Sequence, residues 1–225
     1  SWADIVIENM RPGVISRLGL GYETLVKANS RLVMLSTCNM GQTGPRSDTP
    51  GFGSQLSALA GMCGMTGFSG ESPMLLYGPY IDFIASSLGA AGVLAAVLRA
   101  RRTGKGAYID LSQYECGLTF MAGALHDYLS TGHVRDRCGN EDPEAVPHGA
   151  FPCLEREWVA LSCWSDAEFS TLAHIIDRDE WLTDPMFATN EARRTNQRPL
   201  DDIISAWTQT RSSESANEAI QQLKN

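Results

Sequence analysis

GPYIDF, residues 78–83, leads directly into IASSLGAAGVLAAVLRA, residues 84–100. The long run is apolar nearly all round, which predicts a helix that is buried on every side. Gly78 and Pro79 are turn-forming residues, so Asp82 falls in the first helical turn. There the free N–H groups and the helix dipole favour an ionised carboxylate. An anion in this place is either the cap of the helix or a nucleophile.

The same run is long enough to raise the alternative of a membrane span, which needs about 18 consecutive apolar residues. However, Asp82 stands at one end, Ser86 and Ser87 lie inside, and most of the other residues are Ala or Gly. Small residues of this kind are typical of a helix packed closely on a sheet. We therefore expect a core helix and no association with a membrane.

Short apolar runs on both sides of this helix predict a parallel sheet. Strands are expected at 5–7, 31–37 and 107–111, a short helix at 55–63 and a longer one over 112–131. Strands that alternate with helices are typical of an α/β architecture.

A polar, turn-rich segment over 132–149 predicts a domain boundary. We assign residues 1–133 to a large α/β domain and residues 134–225 to the start of a smaller α+β domain. In the second domain, strands are expected at 150–154 and 158–163. Its helices are expected at 166–176, 186–196, 199–209 and 213–223.

Charge and cysteine content narrow the function classes. The net charge is −8, and it is divided into +3 over residues 1–106 and −11 over residues 107–225. This balance argues against a nucleic-acid partner, and it makes the first half the better place for a polyanionic small molecule. The six cysteines form no C-x-x-C pair and the four histidines show no metal-ligand spacing. We expect buried thiols in the reducing cytoplasm and no bound metal.

Both ends of the chain suggest a piece of a longer polypeptide. The sequence begins without Met, directly before a predicted strand, and stops inside a helical pattern. We therefore expect an internal segment.

Arg11 and Arg17 flank a helix start at Pro12-Gly13, which offers free N–H groups and bidentate donors to a phosphate. From the spacing of Arg11 and Arg17 alone, two solvent-exposed arginines are a better explanation than a phosphate site. Among the histidines, only His148, in the predicted loop 146–149, has the setting of a pocket wall.

Several motifs together resemble the family III CoA-transferases, a group that includes formyl-CoA transferase, carnitine CoA-transferase and the α-methylacyl-CoA racemases. They are ENMRPGVISRLGLGYE at 8–23, GQTGP at 41–45, Asp82 with its helix, RTGKG at 102–106 with YIDLS at 108–112, and FATNEAR at 187–193. The resemblance implies a Rossmann-like CoA-binding domain, and the family fold is an interlocked homodimer. By this resemblance we expect the first strands of that domain and its C-terminal return to lie outside this sequence.

The resemblance also implies roles for individual residues. Asp82 corresponds to the catalytic aspartate, which forms an aspartyl anhydride and then an aspartyl-CoA thioester while CoA moves from an acyl-CoA to a carboxylic acid. Arg17 corresponds to an arginine that contacts CoA, with Val14 and Leu18 on the same surface, and we add Arg11 to this set. For the pocket of the acid we name Phe52, Tyr80, Phe83 and His148, which suggest a medium-sized or aromatic dicarboxylate.

Two alternatives stay open. An acyl-CoA racemase of the same superfamily needs a paired acid and base. Here the loop at 51–54 reads GFGS without a His, and Ser165, next to Asp166, stands at the position of the Glu. The glycine-rich lid of formyl-CoA transferase is replaced by residues 141–149, so formyl or oxalyl specificity is not expected. The other alternative is a non-catalytic CoA-binding segment, whose missing strands would leave sheet edges open.

Overall fold

The computed structural model describes residues 2–221. Within this range the chain forms two compact units, one that ends at Arg137 and one that begins at Cys138. The first unit holds a parallel sheet with helices, and the second an antiparallel hairpin with helices. The predicted fold class, α/β followed by α+β, is confirmed.

The sheet of the first unit has three parallel strands in the order β1 (Ile5–Glu8), β2 (Val33–Cys38) and β3 (Ala107–Ser112). β2 lies in the middle and carries the buried run Val33–Leu35, as expected for a strand covered on both faces. The register pairs Glu8 with Ser36 and Ser36 with Asp110. Polar residues of all three strands therefore meet near their carboxyl ends.

Short helices α1 (Val14–Arg17) and α2 (Tyr22–Leu25) connect β1 to β2. Helices α3 (Gly53–Leu59) and α4 (Tyr80–Thr103) connect β2 to β3. The single helix predicted over 112–131 is wrong: the structure has α5 (Gln113–Phe120) and α6 (Ala122–Thr131), which are separated at Met121.

Helix α4 is the longest element and packs on the sheet through a narrow face. Ala85, Gly89 and Val93 on this face are buried, and a Cβ added to Gly89 would lie 3.3 Å from Leu35 Cδ2. Leu94 and Leu98 are 65% and 61% exposed, so the predicted burial on every side is wrong for this chain. Among the described residues, α4 is the one helix long and apolar enough to cross a bilayer, which is weak evidence because core helices pass the same test.

Helix α5 crosses close to the start of α4. A Cβ added to Gly117 would lie 2.5 Å from Ile81 Cδ1 and 3.0 Å from Ala60 Cβ. Ile81 is fully buried at this contact. The missing side chain at Gly117 therefore allows the second turn of α5 to lie against the first turn of α4.

The second unit is built around strands β4 (His148–Pro152) and β5 (Trp158–Ser162). Its helices are α7 (Asp166–Ile175), α8 (Asn190–Thr195), α9 (Gln197–Thr208) and α10 (Ser213–Ile220). The helix predicted at 186–196 starts later, at Asn190, and residues 222–223 of the last predicted helix lie outside the described residues.

The buried guanidinium of Arg193 organises the second unit. It lies 4.1 Å from the ring centroid of Phe169, donates from Nη1 to the Phe187 carbonyl oxygen at 3.0 Å, and pairs with Asp166. Ser165 accepts a hydrogen bond from the Glu168 N–H and caps α7. Ser165, which the resemblance places at the racemase Glu, and the adjacent Asp166 thus have structural partners here.

The thiols differ partly from the prediction. Cys116, Cys153 and Cys163 are buried and Cys38 and Cys63 half-buried, but Cys138 is exposed. Burial raises the pKa of the Cys163 thiol to about 12, as expected for an inert core cysteine.

Gly117→Ala should lower the free energy of unfolding by about 1–3 kcal/mol, because the new methyl group collides with Ile81 and Ala60. Chemical denaturation measures the effect. Gly123→Ala, in helix α6 with no atom within 4 Å of the added Cβ, is the matched control and should be neutral or slightly stabilising. Equal effects of the two changes would show that the α4–α5 contact is not tight.

Candidate active site

A cavity of about 530 Å³ lies beyond the carboxyl ends of β1 and β2 and beside the starts of α3, α4 and α5. Open parallel sheets bind their ligands at this edge. Its lining is mainly polar: Asn9, Met10, Arg11, Pro12, Thr37, Cys38, Asn39, Ser47, Asp48, Thr49, Pro50, Gly51, Phe52, Gly53, Asp82 and Gln113.

Asp82 reaches this cavity from the first turn of α4. The helix is capped at Pro79 without a side-chain hydrogen bond, so Asp82 is not the cap. Its carboxylate is half-buried, and burial raises its pKa, while a hydrogen bond from the Gln113 side chain lowers it. The net direction of the pKa is upward, because desolvation outweighs the effect of Gln113.

Gly53 lies directly against the carboxylate. A Cβ on Gly53 would be 2.5 Å from Asp82 Oδ2 and closer still to Pro79 Cβ. No residue larger than glycine fits at this position without moving the start of α4. The loop before α3 and the acid of α4 are therefore in direct contact.

Asn39 holds this loop in place. Its Nδ2 donates to the Gly51 carbonyl oxygen at 2.9 Å, and its own carbonyl oxygen accepts from the Tyr114 N–H at 2.9 Å. The end of β2 thus connects the Gly51–Gly53 segment to the first turn of α5.

Gln42 connects the loops that follow β1 and β2. Its backbone N–H donates to Asp110 Oδ1 at 2.8 Å. Its Oε1 accepts from the Gly13 N–H at 3.3 Å, and its Nε2 donates to Glu8 Oε1 at 3.4 Å. The segment with Arg11 is therefore fixed to the end of the sheet.

The structure brings three of the predicted site residues to this cavity: Arg11, Phe52 and Asp82. Phe52 is 65% exposed and stands at its edge. Val14 and Arg17 lie in α1, and Leu18 caps it. None of these three lines the cavity, but Arg17 Nη1 is 3.1 Å from the place of a Cβ on Gly13, which puts the guanidinium beside the start of α1.

The remaining predicted pocket residues have other surroundings. Tyr80 packs edge-to-face on Phe120 with ring centroids 5.8 Å apart. Phe83, which directly follows Asp82 in α4, is exposed. His148 is the first residue of β4, so its predicted place in a loop is wrong. Its Nδ1 lies 2.5 Å from the Asn140 carbonyl oxygen, within the second unit.

Sequence reasoning missed Gly53, Asn39 and Gln113 as site residues. Asn39 and Gln113 come shortly after predicted strands, and Gly53 comes shortly before a predicted helix. This position at the carboxyl edge of the sheet was the available signal for a binding site. Among the described residues, no group of three or more His, Cys, Asp or Glu side chains could hold a metal ion.

The family model for CoA-transferase family III matches residues 1–224. The chain belongs to CoA-transferase family III. The resemblance read from the motifs is therefore confirmed.

Several named family III enzymes are similar to this chain. Succinyl-CoA–D-citramalate CoA-transferase of Chloroflexus aurantiacus is 38% identical over 205 residues, which cover 91% of this chain and 51% of the relative. Acetyl-CoA:oxalate CoA-transferase of Acetobacter aceti is 36% identical over 199 residues, which cover 88% of this chain and 51% of the relative. The chain thus spans about half the length of these relatives.

A solved structure shows the same fold. The CaiB/BaiF family protein from Brucella suis superposes with a TM-score of 0.89 at 26% identity. The match covers 98% of this chain and 58% of that protein.

Gly53→Ala should displace the Asp82 carboxylate, because the added methyl group would lie only 2.5 Å from Asp82 Oδ2. We expect a loss of about 1–3 kcal/mol in the free energy of unfolding. We also expect a shifted Asp82 carboxyl signal in the ¹³C NMR spectrum, assigned with Asp82→Asn. Ser54→Ala, one residue further along α3, is the control. An unshifted signal in Gly53→Ala would contradict the close contact.

Proposed function

We propose that this chain carries the nucleophilic and CoA-binding part of an enzyme that transfers CoA between an acyl-CoA and a carboxylic acid. The observation that supports it best is the placement of Asp82, a carboxylate in a polar cavity at the carboxyl edge of a parallel sheet. The family membership supplies the reaction class.

In the proposed reaction Asp82 is a covalent nucleophile. One carboxylate oxygen attacks the thioester carbonyl, a C–O bond forms and the C–S bond breaks, which gives a mixed anhydride and CoA thiolate. The thiolate attacks the Asp82 carbonyl carbon, and the donor acid leaves as its carboxylate. An acceptor carboxylate then reverses the two steps, so Asp82 is regenerated without net proton transfer.

Arg11 and Arg17 are the proposed partners of the CoA phosphates. Both belong to the segment that Gln42 fixes to the sheet, and Arg17 lies beside the start of α1. Bidentate guanidinium donors suit phosphate groups. Val14 and Leu18 are the proposed apolar surface beside them.

For the acids we propose short dicarboxylates. Asn9, Arg11 and Thr49 line the cavity with hydrogen-bond donors, while Phe52 supplies the one aromatic side chain in this lining. Two relatives from Chloroflexus aurantiacus are named as CoA-transferases for the dicarboxylates D-citramalate and L-malate. The lining of the described cavity does not include Tyr80, Phe83 or His148. Their contact with the acid remains a proposal.

No observation favours the racemase alternative, because the lining of the described cavity contains no histidine. An interlocked homodimer and a cytoplasmic location are further proposals, which rest on the family resemblance and on the cysteine pattern.

Asp82→Asn should abolish CoA exchange between succinyl-CoA and isotopically labelled succinate, with a rate loss of roughly a thousandfold or more because the nucleophile is gone. CoA binding should persist. The matched control is Asp48→Asn, which removes the other carboxylate that lines the cavity and should retain exchange. Exchange by Asp82→Asn at the parent rate would contradict the assignment. CoA binding without exchange by the parent would instead favour a non-catalytic segment.

Arg17→Ala should weaken CoA binding by roughly tenfold or more, because a charged donor to a phosphate is lost. Isothermal titration calorimetry with free CoA measures this change. Arg102→Ala, at the far end of α4, removes the same charge away from the proposed site and should leave the affinity unchanged. Equal losses in both variants would mean that only net charge matters.

A further inference from the structure

The start of helix α5 is fixed beside the start of α4. Gly117 contacts Ile81 with no room for a side chain, and Ile81 directly precedes Asp82. Gln113 lies one turn before Gly117 and is the first residue of α5. This packing places Gln113 and Asp82 next to each other at the edge of the cavity, which both residues line.

The end of β3 holds Gln113 from its other side. Ser112 caps α5 by accepting a hydrogen bond from the Glu115 N–H at 3.2 Å. The Tyr114 N–H donates to the Asn39 carbonyl oxygen at 2.9 Å. The backbone on both sides of Gln113 is therefore anchored, which limits where its side chain can reach.

The Gln113 side chain lies close enough to the Asp82 carboxylate to lower its pKa. On the opposite side Gly53 lies against Asp82 Oδ2, so the carboxylate has little freedom to turn. The charged and titratable side chains that line the same cavity are Arg11, Cys38 and Asp48, and α5 also carries Tyr114, Glu115 and Cys116. The pKa of Asp82 is moved by burial and by Gln113.

We propose that Gln113 is a positioning residue for the nucleophile: its side-chain amide donates to one oxygen of Asp82 and leaves the other oxygen free to attack the thioester. The inference rests on the proposed CoA-transfer reaction. In the mixed anhydride, the same amide faces the Asp82 carbonyl oxygen. Negative charge develops on that oxygen when the CoA thiolate attacks, and a fixed donor there stabilises the charge.

Two variants test the role in the exchange reaction. Gln113→Leu removes the donor at similar size, and Gln113→Glu keeps the length but presents an acceptor of negative charge. Both should lower kcat for exchange by roughly tenfold or more, since a hydrogen bond to a charged group is lost. The KM for acyl-CoA should stay close to the parent value. Thr119→Ala, on the exposed part of α5, is the control and should keep the parent rate.

A titration separates this role from a merely structural one. The midpoint of the Asp82 carboxyl signal, followed by ¹³C NMR against pH, should rise from the parent to Gln113→Leu and again to Gln113→Glu. The acid limb of the kcat profile should move upward in the same order. A change in stability alone would move neither of them.

The outcomes are distinguishable. If the parent exchanges CoA but the midpoint stays the same in both Gln113 variants, the inference is overturned and the proposed function stands. If the midpoint rises but the parent neither exchanges CoA nor forms a covalent adduct, the proposed function fails and the inference fails with it. Raised midpoints together with the loss of kcat support both.

Discussion

Close packing around helix α4 fixes the position of Asp82. Gly89 lets the helix approach Leu35 and Leu111 on the sheet, and Gly117 lets α5 approach the first turn at Ile81. Interiors of this density do not allow small displacements of one element alone. The place of the carboxylate is therefore set by backbone packing on two sides.

The electrostatics of the site follow from this packing. Burial against Gly53 takes water away from Asp82 and disfavours its charge, which raises its pKa. Gln113 lowers the pKa of Asp82 and so offsets part of this effect. A carboxylate with few partners keeps an oxygen available for bond formation, whereas a fully paired carboxylate, such as a salt-bridged one, does not.

Most of the architecture could be predicted from local sequence patterns. The strands at Ile5–Glu8 and Val33–Cys38 and the long helix with Asp82 in its first turn follow from apolar runs and turn residues. The break at Met121 falls between Gly117 and Gly123 and not on a Gly or Pro itself, so the apolar periodicity joined α5 and α6 into one predicted helix. The exposed face of α4 could not be predicted either. An apolar composition shows that a helix could be buried, but it does not show whether other elements cover each of its faces.

The candidate site was predictable only in part. Asp82 and Arg11 carry chemistry that a sequence shows directly, and both line the cavity. Gly53 and Gln113 are 29 and 31 residues away from Asp82 along the chain. They come close to it only in the folded structure. Such contacts arise from tertiary packing, so the sequence signals these two residues only through their position beside predicted elements.

The most direct test of the central claim is intact-protein mass spectrometry of the folded chain after incubation with succinyl-CoA, followed by hydroxylamine trapping and peptide mapping. The account predicts a covalent adduct and a hydroxamate on the peptide that contains Asp82. A hydroxamate on another residue, or a folded protein that binds CoA and never labels, would contradict it.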